Sequence, residues 1–161
     1  MKHLILFQTL LISLLIMPMN DCHAQHSQDV QNTMNQIAKK HEANEGISCM
    51  TVTKGSGLEM IKMMFNREFG KEFMKGVTSI TLLDYSDASE QTCIVLRNDL
   101  DTFLSLLKEF DISNEKEFTD NDYIRCFASE IEPGTLSDFV IALENDKSKM
   151  ILYMAGKIQV E

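Results

Sequence analysis

The segment Thr53-Lys54-Gly55-Ser56-Gly57 comes nearest to a motif that could bind a phosphate group. It combines a lysine, a serine and two glycines ahead of a predicted helix, and free backbone N–H groups at a helix start favour anions. The glycine and lysine spacing that a P-loop requires is absent. Ser56 and Glu59 have the spacing of a capping box, so a turn that begins a helix is the simpler interpretation.

Histidine is the side chain that usually activates a nucleophile, and its placement here does not favour hydrolysis. Only His26 and His41 follow the export signal described below. His26 lies near the expected start of the mature chain. His41 follows Lys39 and Lys40 on one helix, where a cation at the C-terminal end is ordinary. A Gly-x-Ser-x-Gly elbow is also missing, so an enzyme of unrecognised type is the third hypothesis.

Methionines are concentrated in the segment after Gly57, and 11 occur in the whole chain. Met60, Met64 and Phe65 predict an apolar groove for a small apolar ligand or a partner helix. Methionine at helical spacing also fills protein cores, and thioethers suit reduced copper, so both alternatives stay open. The sequence has no Cys-x-x-Cys, His-x-x-x-His or calcium-loop motif. We therefore expect neither a metal nor another cofactor.

Cysteines would number three, an odd count, once the export signal is removed with Cys22. Cys49 and Cys126 lie in strand-like patterns, whereas Cys93 lies in a helical one. The simplest interpretation is that each is a small buried hydrophobic residue. One disulfide among Cys49, Cys93 and Cys126 is an alternative in an oxidising compartment, and a functional thiol is another.

Residues 1–24 predict a cleavable secretory signal peptide. Lys2 precedes an apolar run from Leu4 to Met17, and Cys22-His23-Ala24 places small residues before a cut at Gln25. The run is shorter than the ~20 residues of a membrane-spanning helix, so no transmembrane anchor is expected in the mature chain. The protein is therefore expected in the periplasm or on the extracellular side of the envelope.

Residues 25–161 are expected to form a single domain, since this length is enough to bury a hydrophobic core. The whole chain has a formal net charge of -9. This acidity argues against general binding to nucleic acid or to anionic lipid.

Hydrophobic periodicity predicts three helices and five strands. The first helix has Val30, Met34 and Ile37 on one face and is followed by Gly46. The second helix begins near Ser56. The third helix is capped within Ser86 to Ser89 and runs through Leu107. The expected strands are Ile47 to Thr53, Thr78 to Tyr85, Tyr123 to Ile131, Leu136 to Glu144 and Met150 to Ala155. The order α-β-α-β-α-β-β-β predicts an α+β fold, a mainly antiparallel sheet with helices packed on one face.

Three features of the chain together resemble a known family. They are the exported start, the closing three-strand meander, and the segment Gly46-Ile47-Ser48-Cys49-Met50-Thr51-Val52-Thr53-Lys54. The chain is similar to the small secreted Bacteroidetes proteins grouped as domain of unknown function 4252. The resemblance covers nearly all of the mature chain. It implies an envelope protein of uncharacterised role, with no established catalytic residues to carry over.

These observations favour a non-catalytic interaction or binding module of the cell envelope with an envelope protein as partner. The alternative is a carrier of a small apolar ligand, with a pocket between sheet and helices lined by Met64, Phe65 and residues of the last strands.

Overall fold

A computed structural model describes residues 23–69, 74–110, 123–132, 134–145 and 147–159. Its helices are α1 (His23–His41), α2 (Ser56–Phe69) and α3 (Glu90–Leu104). Its strands are β1 (Ser48–Val52), β2 (Gly76–Asp84), β3 (Lys108–Phe110), β4 (Tyr123–Glu132), β5 (Thr135–Glu144) and β6 (Lys149–Gln159). The predicted α+β class is confirmed. Residues 1–22, which make up most of the expected signal peptide, lie outside the described residues.

The strands form one antiparallel sheet with the spatial order β1-β2-β6-β5-β4-β3. The closing meander of β4, β5 and β6 is as predicted. The third helix is shorter than expected, because it ends at Leu104 rather than at Leu107. The three-residue strand β3 follows and pairs with β4. A strand of three residues is too short to show a hydrophobic period, so its strand conformation depends on pairing with β4.

One face of the sheet, here the first face, is covered by α1 and α3. Their buried residues pack against Leu83 of β2, Val140 of β5 and Tyr153 of β6. The helical residues of this cluster are Val30, Met34, Ile37, Cys93, Leu96, Leu100, Phe103 and Leu104. The expected packing of helices on one face therefore holds for α1 and α3.

The opposite, second face of the sheet carries a core of its own. It includes Ile80 of β2, Phe139 of β5 and Met154 of β6, which alternate along their strands with residues of the first face. Leu58 of α2 is buried in this cluster, and Ile61 packs against it. The helix α2 thus departs from the expected arrangement. β5 is buried continuously from Thr135 to Val140, as expected for a strand that is covered on both faces.

The register of the sheet is interrupted in the central strands. Shifts occur between Val77 and Ser79 of β2 and between Ser137 and Phe139 of β5. Asp138 lies in the second interruption with a φ of 54°. Such bulges increase the local twist and redirect side chains. This bulge turns an acidic residue into the interior.

Gly46 lies in the turn that leads from α1 to β1. The helix ends at His41, so Gly46 does not occupy the helix-terminal position that the sequence predicted. Its φ of 78° and its contacts explain the glycine. A Cβ atom here would collide with the Asp87 carbonyl and would lie 2.6 Å from Cα of Ala88. The turn before β1 therefore packs directly against the turn before α3.

No helix in the described ranges combines the length and apolar character needed to cross a membrane.

We expect Gly46→Ala to lower the free energy of unfolding by about 3 kcal/mol, because positive φ and overpacking both destabilise. Gly55→Ala is the matched control: Gly55 has a φ of 83°, but a Cβ atom added there would meet no atom within 4 Å. It should cost only about 1 kcal/mol. Urea denaturation measures both, and equal losses would refute the close approach at Gly46.

Candidate functional site

The outward side of α2 carries three methionines in contact with solvent. Met60, Met63 and Met64 are 60%, 71% and 63% exposed. They lie three and four residues apart, so they form one continuous patch, called here the methionine surface. Leu58, on the opposite side of the same helix, is buried. The helix is therefore apolar on two sides.

Exposed methionine is well suited to contact another molecule. The side chain is unbranched and polarisable, and it adapts to irregular partner surfaces. Six large hydrophobic residues are exposed in the described part of the chain, and half of them form this patch. The others are Met50 on β1 and the pair Ile94 and Val95 on α3.

Charged side chains border the methionine surface. Glu59 is 72% exposed at its side chain, and its Oε1 lies 3.6 Å from Nζ of Lys62. Arg67 lies in the last turn of α2 and is exposed. An exposed pair such as Glu59 and Lys62 adds little stability. An acidic residue therefore lies at one end of the surface and a basic residue at the other.

Only two of the three residues that predicted a groove, Met60 and Met64, have described side chains; the third is Phe65. Met60 and Met64 point outward on α2, while the Phe65 side chain lies outside the described residues. Met74, which follows α2 in the chain, is fully buried in the second-face core. Among the described residues, no three His, Cys, Asp or Glu side chains are grouped as metal ligands.

A shallow cleft of about 100 Å³ lies at the first face, beside α3 and the ends of β4 and β5. Its polar lining includes Tyr85, Arg97 and Arg125. Arg97 is paired with Glu144, and Arg125 donates from Nε to Glu109 at 2.6 Å. Drug-sized ligands occupy pockets of about 300–1,000 Å³, so this cleft is small for a carrier. Its arginines are already engaged with carboxylates.

The most unusual polar pair is buried in the core and joins β5 to β6. Asp138 is fully buried, and its Oδ1 accepts a hydrogen bond of 2.7 Å from the Tyr153 hydroxyl. Its Oδ2 has no hydrogen-bond partner among the described residues. Burial, followed by the charge and hydrogen bond of Asp138, raises the pKa of Tyr153, so the phenol remains protonated. Phe103 packs edge-on against Tyr153 with ring centroids 5.7 Å apart.

Sequence reasoning did not single out Asp138. The available signal was an acidic residue within the strand-like segment Leu136 to Val140. A bulge cannot be read from that run, and only the bulge turns the carboxylate toward Tyr153.

His41 is buried and joins α1 to α3. Its Nε2 donates to Oδ2 of Asp99 over 2.7 Å, and its Nδ1 accepts from Asn44 at 2.9 Å. Hydrogen bonds from Lys40 and His41 lower the pKa of Asp99. Because both ring nitrogens are engaged, His41 serves to fasten two helices rather than to accept a substrate proton.

The three cysteines of the expected mature chain are free thiols. Cys49 and Cys93 belong to the first-face core, whereas Cys126 is buried in the second-face core. The sheet therefore separates Cys126 from the other two. Burial raises the pKa of Cys49, and burial raises that of Cys126 to about 12, with smaller contributions from Glu42 and Glu109 respectively. Cys93 and Cys126 fit the interpretation of buried hydrophobic residues, while Cys49 is partly exposed.

Comparison of the chain with protein-family models, curated proteins and solved structures gave no match. The resemblance to domain of unknown function 4252 therefore stays a prediction.

We expect Tyr153→Phe to destabilise the fold by about 3 kcal/mol, because both Asp138 oxygens would then be buried without a partner. Tyr85→Phe is the control, since the Tyr85 hydroxyl makes no hydrogen bond to the described residues, and it should cost under about 1 kcal/mol. Adding Asp138→Asn to Tyr153→Phe should recover part of the loss by removing the buried charge. Urea denaturation checks all three, and equal losses for the two tyrosine variants would contradict the assignment.

Alkylation of the folded protein at pH 8 should label Cys49 first. A raised pKa leaves fewer thiolates, and at a pKa of about 12 only about one Cys126 thiol in ten thousand is ionised at pH 8. Cys93 and Cys126 should react only after unfolding. Mass spectrometry should then count three labels on the mature chain without prior reduction. A count below three would indicate a disulfide instead.

Proposed function

We propose that the mature chain is a non-catalytic binding module of the cell envelope that contacts a partner protein through the methionine surface. The observation that carries the proposal is the second apolar side of α2, where Met60, Met63 and Met64 are each more than half exposed. A helix that presents apolar residues at i, i+3 and i+4 matches the way helices dock into partner grooves.

The envelope location rests on the predicted signal peptide of residues 1–24. The non-catalytic role is supported by the way the chemistry-bearing side chains are used. His41 fastens α1 to α3, and Arg97 and Arg125 are paired with carboxylates. Tyr153 donates to Asp138 within the core. Each of these side chains is thus already bonded to another residue of the protein.

The carrier hypothesis has less support. The cleft beside α3 has a volume of about 100 Å³, and its position is distant in the fold from the predicted lining residues on α2. Met64 faces outward, where it suits a protein partner better than an enclosed ligand.

The test is site-specific photo-crosslinking in cells that export the full chain. A benzophenone side chain in place of Met63 should give a discrete adduct in the envelope fraction, because Met63 is the most exposed residue of the surface. The same side chain in place of Val95, an exposed apolar position on α3, is the matched control and should give none.

A triple variant links the adduct to the apolar contact. Met60→Gln and Met64→Gln beside the photo-crosslinker should abolish the adduct, while Ile94→Gln should leave it unchanged. All these positions are exposed, so the effects on stability should stay within about 0.5 kcal/mol. An adduct that survives the two glutamines, or that forms equally from position 95, would exclude the methionine surface as the site.

A further inference from the structure

We infer that the partner of the methionine surface is a second copy of this chain, with the two α2 helices packed antiparallel about a two-fold axis at Met63. The inference rests on the proposed function and specifies its partner.

The outward side of α2 has the symmetry that a two-fold interface needs. In a two-fold dimer one patch contacts itself, so the patch must be self-complementary. At 100° per residue, Glu59, Met60, Met63 and Arg67 all project within about 100° of arc around the helix axis. Leu58 and Ile61 project to the other side, where they pack on the second-face core. Met63 is thus central in both sequence and direction.

The charges on this side select an antiparallel arrangement. Glu59 and Arg67 are each four residues from Met63, in opposite directions along the chain. When two copies pair antiparallel about Met63, Glu59 of one copy lies beside Arg67 of the other, and the contact occurs twice. A parallel arrangement would place like charges together. The antiparallel arrangement also opposes the two helix dipoles favourably.

The size of the patch predicts the strength of association. Three partly exposed methionines and two charge pairs bury less than the ~800 Å² per partner of a standard interface. Such an interface forms a weak and reversible dimer, whose population rises with protein concentration. Opposite charges at its border contribute specificity, and they make the association sensitive to salt.

Charge exchange tests the pairing directly. Sedimentation equilibrium of the exported protein should show a monomer and dimer in exchange. Glu59→Arg and Arg67→Glu should each weaken dimerisation at least tenfold, because each places like charges across the axis. The double variant E59R/R67E should restore it to within about threefold of the original. Glu90→Arg, the same charge change in the exposed first turn of α3, should have no effect.

A covalent probe tests the axis. In a Cys49→Ser background, Met63→Cys places identical thiols at the two-fold axis, and mild oxidation should produce a disulfide-linked dimer. Val95→Cys in the same background should remain monomeric. Circular dichroism confirms that each variant is folded.

The outcomes separate this inference from the proposed function. A photo-adduct from position 63 with the mass of two copies, together with rescue by the double exchange, supports both. A monomer at every concentration and an adduct with a different protein overturn the inference and leave the proposed function standing. Absence of any adduct from position 63 overturns both.

Discussion

Burial of the central strands on both faces is the constraint on which the rest of the structure depends. β2, β5 and β6 carry apolar residues toward each side, so neither side can remain open to water without a large loss of hydrophobic stabilisation. Two helices cover the first face, and α2 contributes to the second. The same burial governs the polar groups, because Asp138 and Tyr153 must satisfy each other where water is absent. Burial of the sheet on both faces thus accounts for the stability of the fold and for the position of α2.

The helix α2 lies between the second-face core and the solvent. Its inner residues Leu58 and Ile61 complete the second-face core, and this contact fixes which way the rest of the helix points. The three outer methionines then follow from helical geometry alone. A helix anchored to the second-face core through Leu58 and Ile61 therefore displays the surface that we propose for binding.

Much of this architecture could be predicted from the sequence, since local patterns determine it. Ser89 caps α3 through a hydrogen bond from the Thr92 N–H, as its residue type indicates, and the apolar period of α3 identifies its buried side. The closing meander was predicted from three successive strand-like segments. Other features arise only when distant segments meet. Three features depend on a partner far along the chain: the short strand β3, the contact of Gly46 with Asp87, and the inward turn of Asp138. The outer side of α2 belongs to this group too, because methionine fills cores as readily as it lines surfaces.

The position of β6 bears on when the protein can fold. This strand lies between β2 and β5, so it joins the early half of the chain to the late half. Ribosomes release the N-terminal part first, yet β2 lacks its central neighbour until Lys149–Gln159 has been made. Contacts so distant in sequence also form slowly, because a long loop must close before they contribute stability. The topology therefore delays completion of the sheet until almost the whole chain has been synthesised, because β2 and β5 are joined only through β6.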